Sequence, residues 1–309
     1  MTLSERNAFF KAGIIICAVC ALFILAASFI TIPLYGIHTP LNNNLSADEG
    51  NSASPEEEAA QSIEEEDSVP PEDKPRQPPN ILFFITNSII KNNFYAVHAS
   101  MSLLAIFSLA GMLLIYYYFE RTSAPEILYV AFFTISCAFE VIRLAVPLRL
   151  ALNFPSVYTR AAMQILLFAR FFGIFSLFAA SVCSAGLEVQ KIRNVVFIII
   201  IAAMIITFGI PVDVLSWDAG FNLAYGYSSM FALIELAVFI TTVIGFLITA
   251  KNKESMEYVY VAVGIVITLI GRNILLNTGS WIGTVPGILL LSSGTYVLCS
   301  KLHKIHLWM

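Results

Sequence analysis

The sequence predicts an all-α, polytopic membrane protein with about eight transmembrane helices, arranged as one N-terminal anchor and a seven-helix bundle. Composition, the length of the apolar segments and the placement of charge all indicate this fold class. Hydrophobic residues make up 58% of the 309-residue chain, charged residues only 12%, and the mean hydropathy is +0.80. A soluble domain carries about 25% charged residues. The composition therefore excludes an ordinary soluble enzyme, a nucleic-acid-binding protein and a disordered chain.

The apolar segments have the length that a membrane span requires. A helix needs about 20 mostly apolar residues to cross the hydrocarbon core. Eight segments meet this requirement: residues 12–34, 94–118, 126–147, 161–184, 194–212, 227–249, 257–276 and 282–300. The last seven form the predicted bundle, residues 94–300. The stretch 81–90 is apolar but too short to span, so we expect an interfacial or re-entrant piece or a short strand there.

The first segment, residues 1–35, admits two interpretations. Arg6 and Lys11 precede the apolar run, and Ala26-Ala27-Ser28 resembles a signal-peptidase site. The apolar run continues through Leu34, however, which is long for a signal peptide. The sequence therefore favours an uncleaved transmembrane anchor. A cleaved signal peptide is the alternative, and it would leave a seven-helix bundle with an external N-terminal arm.

Residues 36–93 form a region of different composition. Residues 36–80 carry eleven of the 21 acidic residues against two basic ones, a net charge of −9, so the rest of the chain sums to +5. This part is also rich in proline and poor in large apolar side chains, and such a chain cannot offset its ordering entropy by burial. We predict a disordered acidic arm followed by the interfacial segment. Binding of cations or of a basic partner is the alternative role for the arm.

Two features predict where helices begin and end. Residues 123–126 read Ser-Ala-Pro-Glu. This is the pattern of a capping box, in which Ser123 accepts from a first-turn N–H and Glu126 reaches back. Pro147 and Pro155 are expected to bracket the turn between the third and fourth spans, because proline interrupts a helix.

The basic residues near the helix ends predict the orientation. With the N-terminus in the cytoplasm, the inner loops hold nine basic residues: Arg6, Lys11, Arg121, Lys191, Arg193, Lys251, Lys253, Lys301 and Lys304. Outside the acidic arm, the outer loops hold only three: Lys91, Arg149 and Arg160. The positive-inside rule therefore predicts a multi-pass protein of the plasma (inner) membrane with both termini cytoplasmic. Residues 301–309 form the cytoplasmic tail, and the acidic arm 36–80 lies outside.

Five ionisable residues lie well inside the predicted spans: Glu140, Arg143, Arg170, Glu235 and Arg272. A charge at the bilayer centre costs at least about 2.5–3.5 kcal/mol, so these side chains are expected to face the bundle interior. From the helical rise, all five lie between roughly 6 and 15 Å below the outer ends of their helices. The sequence therefore predicts one charged cluster in the outer half of the bundle.

Two interpretations of this cluster remain open. It is either a salt-bridge lock, with Glu140 paired to Arg143 and Glu235 paired to Arg170 or Arg272, or an outward-facing pocket. A pocket of this composition suits a small anionic or zwitterionic ligand, because the planar fork of arginine binds carboxylate or phosphate with paired hydrogen bonds. All five residues are candidate ligand-binding residues in that case.

The other reactive residues give no catalytic or metal-binding pattern. All five cysteines lie in predicted helices, which argues against a disulfide framework, and Cys17 and Cys20 are interpreted as packing residues. The chain carries no nucleotide-binding glycine motif, no zinc-ligand spacing and no nucleophile motif with a usable histidine. We therefore expect no catalytic residues, no metal and no cofactor.

These observations predict a non-enzymatic, sensor- or receptor-like membrane module. Its expected partners are the lipid bilayer, a small anionic ligand and a signalling or assembly protein, since no output domain is expected in the short inner loops. No nucleic acid is expected. A secondary transporter of a small anion or amphiphile is one alternative, although no internal repeat supports it. A structural or accessory membrane subunit with a buried salt-bridge lock is the other.

Overall fold

A computed structural model of the chain describes residues 3–37, 94–119, 124–186, 192–218, 221–277 and 279–307. The predicted acidic arm beyond residue 37 and the apolar stretch 81–90 lie outside these ranges. Within them, eight helical segments are long and apolar enough to cross a membrane. This confirms the predicted fold class, an all-α polytopic membrane protein.

The helices follow one another in an up-and-down order along the chain. They are α1 (Leu3–Ile37), α2 (Phe94–Phe119), α3 (Pro125–Ala138), α4 (Ala145–Leu152), α5 (Ser156–Ser184), α6 (Ile192–Gly209), α7 (Ser228–Asn252), α8 (Met256–Asn277) and α9 (Trp281–Leu307). A 3-10 segment, Phe139–Leu144, joins α3 and α4 into the third span. Because α9 runs to Leu307, most of the predicted tail from residue 301 continues the last helix.

Helix α1 packs into the bundle along one continuous seam. The side chains on this seam are separated alternately by four and three residues, and all are buried except the half-buried Cys20: Arg6, Phe10, Gly13, Cys17, Cys20, Ile24, Ala27 and Thr31. This spacing keeps one face of a helix against its neighbour. Arg6 donates to the carbonyl of Phe119 at 2.9 Å, and Cys17 Sγ lies 3.1 Å from Ser108 Oγ. The interpretation of Cys17 as a packing residue is confirmed.

The predicted turn at Pro147 is wrong, because Pro147 lies inside α4. Proline has no N–H to donate to the carbonyl four residues earlier, which belongs to Arg143. The six residues before α4 accommodate this loss. They form a 3-10 helix, in which backbone N–H groups bond to carbonyls three residues earlier. Helix α4 ends instead at Leu152, where Asn153 adopts the left-handed conformation (φ 53°).

The predicted capping box is also wrong. The N-cap of α3 is Ala124, no side chain caps it, and Ser123 lies outside the described residues. Glu126 instead contacts the last helix. Its carboxylate is buried and lies 3.4 Å from His306 Nε2, so it joins the start of α3 to the end of α9.

A short β-hairpin that the sequence analysis missed connects α6 and α7. Strands β1 (Val212–Trp217) and β2 (Leu223–Tyr225) pair antiparallel. In the hairpin turn, the ring of Phe221 packs edge-on against Phe94 at the start of α2, with the ring centroids 5.6 Å apart. The hairpin therefore covers the end of the bundle at which α2, α5 and α7 begin.

Helices α8 and α9 approach each other backbone to backbone. A Cβ atom added to Gly271 would lie 2.8 Å from the carbonyl oxygen of Gly287, and one added to Gly294 would lie 2.8 Å from the carbonyl oxygen of Gly264. Backbone atoms cannot rotate aside as a flexible side chain can. Small residues at such contacts are a common basis of helix association in membranes. The α8–α9 contact therefore depends on glycine at these positions.

Replacing Gly271 with alanine is expected to destabilise the protein by about 1–3 kcal/mol, because the added methyl group overlaps the backbone of α9. The melting temperature of the purified protein in mild detergent measures the effect. Gly209→Ala is the matched control, since a Cβ atom there meets nothing within 4 Å. Equal melting temperatures for the two variants would show that the α8–α9 contact can relax.

Candidate functional site

The carboxylate of Glu140 lies at the centre of the charged cluster. Its side chain is fully buried, in the 3-10 segment of the third span. Arg170 on α5 binds it with two hydrogen bonds, from Nε to Oε1 at 2.8 Å and from Nη2 to Oε2 at 2.7 Å. Such a fork is the strongest neutralisation that one side chain can offer a carboxylate. The pair joins the third span to α5.

Two further arginines approach the same carboxylate at a longer distance. Arg143 Nη1 lies 4.0 Å from Oε2, and Arg272 Nη2 lies 4.0 Å from Oε1. Arg143 reaches this position because side chains three residues apart in a 3-10 helix project in the same direction. Four of the five predicted residues therefore form one cluster, as the sequence predicted.

Glu235 does not form the pair proposed for it in the salt-bridge lock. Its predicted partner Arg170 is bound to Glu140 instead. Among the described residues, no ion pair within 4.0 Å joins Glu235 to Arg170 or Arg272. Glu235 is half-buried on α7 and lines the same cavity as both arginines. Arg170 does not pair with Glu235 because its fork is already bound to both carboxylate oxygens of Glu140.

The hairpin between α6 and α7 supplies a second partner for Arg170. Asn222 Oδ1 accepts a hydrogen bond from Arg170 Nη2 at 2.8 Å. Asp218 fixes this amide by accepting from its backbone N–H at 2.8 Å and from its Nδ2 at 2.9 Å. The sequence analysis missed both residues. The available signal was the polar and glycine-containing turn between two apolar runs, which is typical of a hairpin.

Arg272 differs from Arg170, which binds Glu140 by two direct hydrogen bonds. Its side chain is 4% exposed, and its Nε and Nη2 have no hydrogen-bond partner among the described residues. The guanidinium carbon lies 5.8 Å from the centre of the Phe133 ring, so its remaining close neighbour is an aromatic face. Leaving a buried donor unsatisfied costs about 1–3 kcal/mol, and more for a charged group. Arg272 is therefore held in the cluster by charge and by the aromatic ring rather than by hydrogen bonds from these two groups.

A cavity of about 370 Å³ provides the space for such a partner. It lies between α5, α7 and α8, with Arg170, Glu235 and Arg272 in its wall. Three layers can be distinguished along these helices. Tyr225, Asn273 and Asn277 line the end nearest the hairpin, and Ile174, Phe239 and Leu269 line the opposite end. The charged side chains thus lie between a mixed end beside the hairpin and an apolar end deeper in the bundle.

Tyr225 is the polar group of the hairpin strand β2 that faces this cavity. Burial raises the pKa of its hydroxyl, and the neighbouring Arg170 opposes that shift. The hydroxyl therefore stays protonated at neutral pH. At the end of the cavity nearest the hairpin, it is a neutral group that can donate or accept a hydrogen bond.

A larger cavity of about 460 Å³ between α2 and α9 is a weaker candidate for specific recognition. Its walls are mainly apolar, and they contain no arginine, lysine, aspartate or glutamate. Such a surface suits the acyl chains of lipid, which need no fixed polar partner. Among the described residues, no group of three histidine, cysteine, aspartate or glutamate side chains is arranged to hold a metal ion.

Substitutions of Arg170 and Arg272 are expected to affect stability in different ways. Arg170→Met removes the fork from a buried carboxylate, which costs about 3–5 kcal/mol. Arg272→Met removes a cation with unsatisfied donors, so we expect no loss of stability without ligand. Thermal unfolding in detergent measures both, with Arg160→Met, an exposed site at the start of α5, as the control. A loss for Arg272→Met as large as that for Arg170→Met would assign both arginines to one structural lock.

Comparison of the chain with protein-family models finds no match, and comparison with curated proteins finds no significant relative. Conclusions about function therefore depend on the geometry of the cluster and its cavity. The fold itself is that of an integral membrane protein with eight apolar spans.

Proposed function

We propose that this chain is a non-enzymatic, sensor- or receptor-like membrane module whose cavity between α5, α7 and α8 binds a small anionic or zwitterionic ligand. The observation that carries the proposal is the buried guanidinium of Arg272. Two of its N–H groups lack a hydrogen-bond partner among the described residues, and its side chain lines the cavity. Arg170, which is 12% exposed, lines the same cavity, and two arginine side chains in one wall suit a carboxylate or phosphate.

The surrounding contacts favour binding with little rearrangement. Glu140 and Arg170 hold each other by two hydrogen bonds, and Asn222 holds the outer side of Arg170. The guanidinium of Arg272 is itself confined between Phe133 and the Glu140 carboxylate. A site whose charged groups are already ordered loses less entropy when a ligand binds.

The shape of the cavity supports binding over transport. On the side of the cavity away from the hairpin, the three helices contribute to a continuous apolar core. This core includes residues from the other halves of the three helices: Ala179, Ala180 and Cys183 of α5, Phe246 and Ala250 of α7, and Tyr258, Val261 and Ile265 of α8. A packed core there argues against a pathway through the bundle and so favours a receptor over a transporter. Signalling would then pass to a partner protein.

The proposed location is the plasma membrane, with the cavity opening to the outside and both termini in the cytoplasm. The hairpin end of the bundle lies opposite the end where Lys301 and Lys304 pair with Glu257, at 3.0 and 2.6 Å. That second end carries the basic residues that the positive-inside rule assigns to the cytoplasm.

Labelling of single added cysteines tests this orientation. Ser228→Cys lies at the exposed start of α7 beside the hairpin, and Met256→Cys lies at the exposed start of α8 at the opposite end. A membrane-impermeant maleimide is expected to label Ser228→Cys in intact cells, and Met256→Cys only after permeabilisation. The wild-type chain gives the background from native cysteines. The reverse labelling pattern would place the cavity on the cytoplasmic side.

Thermal stabilisation by ligands tests the binding function. We expect at least one class among inorganic phosphate, monocarboxylates and amino acids to raise the melting temperature of the purified protein. A ligand at 100 times its Kd stabilises by about 2.7 kcal/mol. Arg272→Met is expected to abolish the shift, whereas Arg160→Met retains it. Absence of a shift with every class would favour the accessory-subunit alternative, in which the cluster only locks the helices.

A further inference from the structure

We propose that the ligand of this cavity is a lipid of the bilayer. Its headgroup, which bears a phosphate or a carboxylate, lies among the charged side chains, and its acyl chain leaves the cavity sideways between α7 and α8. This rests on the proposed function, because it names the ligand and the entry route of the same site. The observation behind it is that side chains on the lipid-facing surface of both helices also line the cavity.

The rim of the cavity includes exposed apolar side chains from α7 and from α8. Leu236 of α7 is 50% exposed, Ile270 of α8 is 47% exposed, and both belong to the cavity wall. An exposed apolar side chain inside a membrane span faces the lipid tails, which are as apolar as leucine. By the helical rise, the two residues lie about 12 and 10 Å from the hairpin ends of their helices, within the hydrocarbon core. The gap between α7 and α8 is therefore a lateral opening to the bilayer.

The exposed rim of α8 changes from polar to apolar with depth. Asn277 and Asn273 are exposed and line the cavity at the hairpin end, and Ile270 follows one turn deeper. Asn277 Nδ2 donates to Asn273 Oδ1 at 2.6 Å. A leaflet of the bilayer has the same order, with polar headgroups at the surface and acyl chains below. An amphiphile that enters from the leaflet on the hairpin side thus keeps each of its parts at its own depth.

The charged layer of the cavity favours a lipid headgroup over a bare hydrocarbon chain. Arg170 is 12% exposed and lines the cavity together with Glu235. A hydrocarbon chain in this position would remove water from both side chains without offering a polar partner, which is costly. A headgroup replaces that water with its own polar groups. Basic pockets between membrane helices are a known setting for lipid headgroups.

The deeper end of the cavity suits the beginning of an acyl chain. Ile174, Phe239 and Leu269 line this end. The volume of about 370 Å³ lies near the lower limit of ligand pockets, which range from about 300 to 1,000 Å³. The cavity therefore holds a headgroup and the first part of a chain, while the rest of the chain stays in the bilayer. A small soluble anion would use only the charged layer, and neither the apolar end nor the opening would contribute to its binding.

Matched probes separate a lipid from a soluble anion. They are oleate with acetate, oleoyl lysophosphatidate with glycerol phosphate, and monoolein, which carries the same chain without a charge. Binding to the full-length protein in an uncharged maltoside detergent is measured by thermal shift and by native mass spectrometry. We expect oleate or the lysophosphatidate to bind at least about tenfold more tightly than its soluble partner and than monoolein, because the chain concentrates the headgroup beside the opening. Equal affinity of the soluble partner would overturn the lipid ligand, and equal affinity of monoolein would overturn the recognition of the headgroup.

Paired tryptophan substitutions on α7 test the lateral opening. Leu236→Trp places a larger ring at the rim of the cavity, whereas Leu233→Trp places the same ring at a 65% exposed position outside the cavity wall. We expect Leu236→Trp to weaken binding of the charged amphiphile at least about tenfold by steric overlap, and Leu233→Trp to leave it unchanged. Ile270→Trp repeats the test from α8, so the result does not depend on the folding of one variant. Wild-type affinity in all three variants would overturn the opening.

The failure of this proposal and that of the proposed function are distinguishable. Binding of acetate or glycerol phosphate that gains nothing from an oleoyl chain, and that Leu236→Trp does not change, overturns the lipid ligand alone and leaves a site for a soluble anion. Failure of the charged amphiphiles and of the soluble anions to bind the wild-type protein overturns both proposals.

Discussion

The buried carboxylate of Glu140 is the constraint on which the arrangement of the hairpin half of the bundle depends. A carboxylate with no exposed surface inside an apolar bundle has to be neutralised by neighbouring side chains, because no water replaces its hydration shell. Arg170 does so with two hydrogen bonds from α5, and Arg143 and Arg272 flank it at 4.0 Å. Glu140 thereby determines how the third span, α5 and α8 face one another. Its single negative charge is surrounded by the positive charges of three arginines.

That surplus turns a structural contact into a candidate binding site. Once Glu140 is committed to the fork of Arg170, the guanidinium of Arg272 keeps donors that no described residue satisfies. The hairpin turn reinforces the asymmetry, because Asn222 binds Arg170 on its outer side and leaves Arg272 beside the cavity. The ion pairs of the cluster and the cavity beside it thus share the same side chains. Arg170 is bound directly to Glu140, and Arg272 lies at 4.0 Å from it.

The packing of α8 on α9 keeps Arg272 in this position. Gly271, its neighbour in the chain, meets the backbone of α9 at Gly287, and Gly264 and Gly294 repeat the contact lower down. The close approach of the two backbones thus places α8, and with it Arg272, directly against α9. In the third span, the 3-10 segment before Pro147 has the same effect for Glu140 and Arg143, because it places both side chains on one side. Ordered backbones thus orient the charges before any ligand arrives.

The sequence alone determined the membrane-spanning architecture, and it predicted a charged cluster of five residues, of which the structure joins four. Eight apolar segments of sufficient length leave few other folds, and a charge in such a segment is too costly to face lipid, so Glu140, Arg143, Arg170 and Arg272 had to converge. The hairpin, the 3-10 segment and the helix start at Ala124 were not predictable, because each depends on local contacts that hydropathy does not record. The tertiary structure also decided which charges pair. Pairing depends on side-chain reach across helices that are remote in sequence, and that geometry gave Arg170 to Glu140 and left Glu235 facing the cavity.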